Sequence, residues 1–165
     1  MKVLVAYMSQ TGNTKKVAEA LYQEIKCEKE IKKVKEVKTL AGYDLAFLGF
    51  PVHAHGPDRQ ARSFLEKQTA GQRVALFITH GAPDGVEEVP RYLAKFRDAA
   101  ARATLIGMFD CQGQIAKLPK LIMSISPDPR ERQGAKDDSD RGQPDATRLE
   151  RARAFAREIM LKINA

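Results

Sequence analysis

The chain has 165 residues, of which 43% are hydrophobic and 30% charged, and its 28 Lys and Arg against 21 Asp and Glu leave a formal charge of +7. That length fits one domain with a core of its own, and the composition excludes a disordered chain. Two cysteines, Cys27 and Cys111, exclude a disulfide framework, a four-cysteine zinc site and an iron–sulfur cluster.

The first apolar run, Val3–Tyr7, is short and continuous, the pattern of a strand buried on both faces. It passes straight into a turn, too soon for the core of a secretory signal. No later run approaches the ~18 residues of a membrane span, so a soluble, reducing, cytoplasmic setting is expected. Val17, Leu21 and Ile25 then recur at helical steps after Thr14. The stretch Lys26–Lys38 interleaves lysine with glutamate as a solvated face. Within it Val34–Val37 reads as a weak edge strand, where lysine discourages pairing with other chains. Asp44–Phe50 is the next buried strand, and Ala61, Phe64 and Leu65 mark a helix after Pro57-Asp58. Val74–Thr79 follows as a strand. Val89, Leu93, Phe96 and Ala100 form a helical stripe after Gly85, with Pro90 tolerable in a first turn. Thr104–Asp110 is the last strong strand, and Leu149, Ala152, Phe155, Ile159 and Ile163 close the chain as a helix.

Between these last two lies a polar loop, residues 124–148, with three prolines, two glycines and eleven charged side chains. It reads as a solvated excursion, the other reading being a lid or docking segment. The alternation as a whole predicts a single α/β domain over residues 1–165, a parallel sheet covered by helices on both faces.

The chemistry-bearing segment is the turn after the first strand, Ser9-Gln10-Thr11-Gly12-Asn13-Thr14, which opens a helix. Amides exposed at a helix start favour an anion, Gly12 permits the tight turn, and the hydroxyls can donate to phosphate oxygens. Ser9, Thr11 and Thr14 are also favoured capping residues, but a single cap accounts for one hydroxyl and not for a cluster. The Gly-Lys-Ser/Thr ending of a nucleotide P-loop and the spaced glycines of a dinucleotide fingerprint are both missing.

The turn, with Tyr7-Met8 before it, resembles the FMN-phosphate loop of the flavodoxins. Cys111-Gln112-Gly113 and the ending from Gln143-Pro144-Asp145 through Arg148–Glu158 are similar to segments of short flavodoxin-like proteins. The resemblance implies a doubly wound five-stranded parallel sheet of order 2-1-3-4-5. It implies FMN as cofactor, its phosphate on Ser9, Gln10, Thr11, Gly12, Asn13 and Thr14. It also implies a ring held between Pro51, Val52, His53, Ala54, His55 and Gly56 on one side and Thr79, His80, Gly81, Ala82, Asp84 and Gly85 on the other.

Flavodoxins place Trp and Tyr on these two loops. This chain has no Trp, its four tyrosines lie elsewhere, and all three histidines, His53, His55 and His80, fall in the loops instead. They are the candidates for tuning the flavin, since imidazole changes charge near neutral pH. The expected function is electron transfer between a reductase and an acceptor. The alternative is an FMN-dependent oxidoreductase acting on a quinone or tetrapyrrole-like substrate, with Leu118–Ile125 as a substrate wall or membrane-surface contact. Flavodoxins are acidic, so a basic chain on that scaffold should meet a redox partner with an acidic face, or an anionic membrane surface. No metal site is expected, because His53 and His55 lack a third ligand and Asp137, Asp138 and Asp140 lack the spacing of a calcium loop. Nucleic acid is not expected as a partner either.

Overall fold

A computed structural model describes residues 1–164. Their order is β1 (Lys2–Tyr7), α1 (Asn13–Glu24), β2 (Glu28–Lys33), a 3-10 turn (Val34–Glu36), β3 (Leu45–Pro51), α2 (Arg59–Gln68), β4 (Arg73–His80), α3 (Glu88–Ala99), β5 (Thr104–Gln112), α4 (Lys117–Ser124), α5 (Pro129–Lys136) and α6 (Ala146–Asn164). The strands form one sheet of order β2-β1-β3-β4-β5, every pair parallel. This is the doubly wound α/β sheet expected, and order reverses between β1 and β3.

β1, β3 and β4 are continuous apolar runs because helices cover both of their faces. On one face α1 and α6 set Val17, Leu21, Ile25, Phe155 and Ile159 against Val3, Val5, Phe47, Phe77 and Phe109. On the other, α2 and α3 set Leu65 and Phe96 against Leu4, Leu48, Phe50, Leu76 and Ile78. Gly49 is needed in β3, since a Cβ there would lie 2.0 Å from the Phe77 ring.

Two expectations are corrected. The edge strand is Glu28–Lys33 and not Val34–Val37. Its residues pair in register with β1, from Lys2 opposite Glu28 to Tyr7 opposite Lys33, and ionic contacts take the place of apolar ones. Glu30 sits between Lys2, at 2.8 Å, and Lys32, and accepts from the Tyr43 hydroxyl at 2.8 Å. Val34 is apolar because it packs into the core from the 3-10 turn, not because it extends the sheet.

The segment 124–148 is not a loop throughout. α5 forms inside it, with Asp128 accepting from the Arg130 N–H at 2.8 Å and Pro129 in the first turn. The buried Asp140 ties the segment down, accepting from the Ile115 N–H at 2.7 Å and from Lys120 Nζ at 3.0 Å. Capping and the half-buried Lys120–Asp140 ion pair order a stretch that has almost no apolar residues.

Candidate functional site

The carboxyl ends of β1, β3, β4 and β5 converge on one edge of the sheet. After β1 the chain turns through Gly12, whose φ of 94° is left-handed, and enters α1 at Asn13. Ser9 Oγ accepts from the Gly12 N–H at 3.0 Å, which leaves the hydroxyl proton free to donate outward. No side chain caps α1. By contrast α2 is capped by Asp58, which accepts from the Ala61 N–H at 2.7 Å. The first-turn amides of α1 therefore have no intrahelical partner and no side-chain partner, with the helix dipole behind them.

Two side chains of the turn face the protein. Thr14 is buried and its hydroxyl pairs with that of Thr79 at 2.9 Å, joining the turn to β4. Asn13 Nδ2 donates to the Gln114 carbonyl at 2.8 Å, joining it to the segment after β5. That approach requires Gly113, where a Cβ would stand 2.7 Å from Asn13 Nδ2. Gln10 and Thr11 are exposed at the tip. Dipoles, hydroxyls and a left-handed glycine thus make a turn suited to an anion, held in place by its own side chains.

The second part of the site begins at Pro51, the last residue of β3, where the Val52 N–H donates to the Thr79 carbonyl at 2.8 Å. His53 to Gly56 form a tight turn in which the Gly56 N–H donates to the His53 carbonyl at 3.1 Å and the His53 N–H to the Gly56 carbonyl at 2.8 Å. Ala54 and His55 occupy it at φ 43° and 70°, a left-handed pair usually given to Asn and Gly. The ring of His55 is exposed and lies 5.4 Å from that of Tyr92. His53 is half-buried, and its Nε2 is buried without a partner.

The third histidine differs. His80 ends β4 with its side chain 1% exposed, Nδ1 2.8 Å from the Ala82 carbonyl and Nε2 3.1 Å from Asp110 of β5. The carbonyl can only accept, so Nδ1 carries a proton. Both nitrogens of His80 are engaged inside the protein, and it braces the loop that follows. Gly81 lies against Ile115, where a Cβ would stand 2.6 Å from the side chain, and Gly85 has a φ of 82°. Asp84 turns away from the loop, meeting Arg148 and Arg151 of α6 at 3.1 Å each. It also accepts from the Gln112 N–H at 3.1 Å.

The contributions of Gln112, Ile115 and Arg148 are not apparent in the sequence; the glycine after β5 is the one local signal for the first two. Burial pushes the Cys111 thiol up to about 12, with Asp84 and Asp110 adding to the effect, so it stays a protonated thiol at neutral pH. Among the described residues no group of three or more His, Cys, Asp or Glu could hold a metal.

The chain matches the flavodoxin domain family over residues 4–157. It is 33% identical over 173 residues to the flavodoxin-like domain-containing protein BilS of Clostridioides difficile (strain CD3), covering 98% of each chain. Its fold is similar to that of a flavodoxin from the domain Archaea, with a TM-score of 0.65 at 17% identity over the whole of both chains. A flavoprotein from Lactobacillus acidophilus NCFM, solved in complex with FMN, is similar over 66% of this chain and 92% of its own, with a TM-score of 0.51 at 24% identity.

Proposed function

The chain belongs to the flavodoxin domain family, and from that premise we propose that it binds one FMN and carries electrons between a reductase and an acceptor. One observation carries the reading: the start of α1 has no side-chain cap, and the side chains of its first two residues, Asn13 and Thr14, are turned onto Gln114 and Thr79. The amides of the turn bind the phosphate, and Ser9 and Thr11 supply hydroxyl donors. The segments 51–56 and 79–85 flank the ring and keep water from it. When bound, FMN supplies the electron chemistry; the protein supplies binding, orientation and electrostatics.

The orphaned His53 Nε2 fits a hydrogen bond to a polar atom at the ring's edge. Of the three histidines His53 is therefore the tuning residue, while His55 packs outside on Tyr92 and His80 acts as a brace. His53→Gln should shift the midpoint potential of the bound flavin. His55→Gln should leave it nearly where it is. An unchanged midpoint potential in His53→Gln removes the role.

The test of the function is direct. Apoprotein titrated with FMN should turn yellow at one equivalent, and stepwise reduction under argon should take up electrons without turnover of NAD(P)H by the protein alone. Direct reduction by NAD(P)H or a quinol, followed by turnover, supports the oxidoreductase reading instead. The specific observation in that reading's favour is the excursion α4–α5 between β5 and α6, rooted at the Gly81–Ile115 contact next to segment 79–85. A protein that takes up no FMN refutes both.

A further inference from the structure

The helices α4 and α5, between β5 and α6, have an outer face that nothing among the described residues covers. Leu118, Leu121, Ile122 and Ile125 recur at i, i+3, i+4 and i+7, and are 66%, 61%, 58% and 78% exposed. The inner side of α4 is already used: Lys120 binds Asp138 and Asp140, and Met123 packs at Gly134 of α5. A helix stripe of this spacing is what an apolar medium covers.

The charges of this excursion, through Asp145, are sorted by exposure. Its carboxylates mostly serve its own architecture: Asp128 caps α5, Asp137 accepts from the Ser139 N–H, Asp140 is buried under Lys120, and Asp145 accepts from the Arg148 N–H. Lys117, Arg130, Arg132, Lys136 and Arg141 are exposed, against Asp138 alone among the acids. Of these cations only Arg130 has a carboxylate partner among the described residues. A segment formally balanced in sequence thus exposes both an aliphatic stripe and a surplus of cations.

We propose that α4–α5 docks this protein on an anionic membrane surface, the stripe entering the headgroup boundary and the exposed cations meeting acidic lipid. The chemistry favours lipid over a protein partner. The stripe is wholly aliphatic, whereas protein hot spots favour Trp, Tyr and Arg in shaped pockets. An exposed helix face is convex, and its four side chains fall short of the ~800 Å² per partner of a standard protein interface. A bilayer needs no shape complementarity, only an apolar face with basic residues beside it. The inference stands without the flavin reading, since neither the stripe nor the cations touch the phosphate turn.

The full-length protein is sedimented with vesicles of phosphatidylcholine alone or of an equal mixture with phosphatidylglycerol. It should bind the mixed vesicles and bind phosphatidylcholine at least about tenfold more weakly. Leu121→Glu/Ile122→Glu should lose about tenfold or more, with an unchanged circular dichroism spectrum because both side chains are exposed. Leu118→Gln/Ile125→Gln is the milder second variant and should fall in the same direction. Lys117→Glu/Lys136→Glu should lose about tenfold, whereas Lys35→Glu/Lys38→Glu, the same charge change at the opposite sheet edge, should lose less than about threefold. The proposal is overturned if mixed vesicles are not bound or if the two charge variants lose affinity equally. It is also overturned if the stripe variants abolish self-association or exchange with a soluble protein and leave vesicle binding intact.

Discussion

In the Ser9–Thr14 turn two side chains build the site from behind. The Thr14 and Thr79 hydroxyls are buried together at 2.9 Å, so removing one strands the other without water. Thr14→Val should cost about 1–3 kcal/mol, while Thr14→Val/Thr79→Val should cost less than the two single variants combined. Urea melts of the four proteins in that cycle measure the difference. Ala54 carries strain of another kind, at φ 43° in a turn that favours Asn and Gly. Ala54→Gly should be neutral or stabilising by up to about 1 kcal/mol, and Ala54→Val destabilising by more than about 1 kcal/mol. Gly113→Ala should push Asn13 off Gln114 and weaken FMN binding about tenfold, with a loss of stability of about 1–3 kcal/mol. The hydroxyl and glycine pattern of the turn is legible in the sequence because its meaning is local. The partners Thr79 and Gln114 are not, because they lie 65 and 101 positions away and meet the turn only after the sheet has formed.

At the scale of elements, strands and helices held by apolar burial are legible in the sequence, whereas those held by polar contacts are not. β1, β3 and β4 are readable because their apolar runs have no other stable place. β2 is hidden because its main contacts are ionic. The side chains of Lys2, Lys32 and Tyr43 hold the Glu30 carboxyl down from its ordinary 4.5 to about 2. A carboxyl depressed on folding stabilises the protein above its unfolded pKa, and that contribution is lost as pH falls from about 4.5 toward 2. Glu30→Gln should therefore lower the neutral plateau slightly, flatten the profile between about 4.5 and about 2, and leave stability below that window unchanged, as urea melts across pH would record. The contribution is small because all of these groups meet water. α5 was hidden for a related reason, since Asp128 and Pro129 start it but almost nothing apolar follows to reveal its period. α6 shows the opposite case: its apolar stripe is plain, and Asp145 accepts from the Arg148 N–H at 2.9 Å at its start. Asp145→Ala should cost about 1 kcal/mol, readable as a lowered melting temperature.

Taken as a whole molecule, the charge of +7 constrains partners more than fold. Encounter with an anionic partner should slow as ionic strength rises, because the Debye length shrinks from roughly 10 Å at 0.1 M salt to about 3 Å at 1 M. Once docked through Leu118, Leu121, Ile122 and Ile125, however, the complex should keep part of its affinity at high salt. Stopped-flow association and equilibrium binding across a salt series separate the two effects. The Gln114 N–H donates to the Gln143 carbonyl at 3.2 Å, so the chain departs and returns at one point on the scaffold. Residues 115–142 are thus a cassette. Joining 114 to 143 through a short glycine linker closes a gap that the fold already holds shut, and loop closure of that kind costs little. The trimmed domain should still melt cooperatively. Vesicle binding by the trimmed domain would then show whether the proposed membrane contact leaves with residues 115–142 while the FMN-binding scaffold stays as it is.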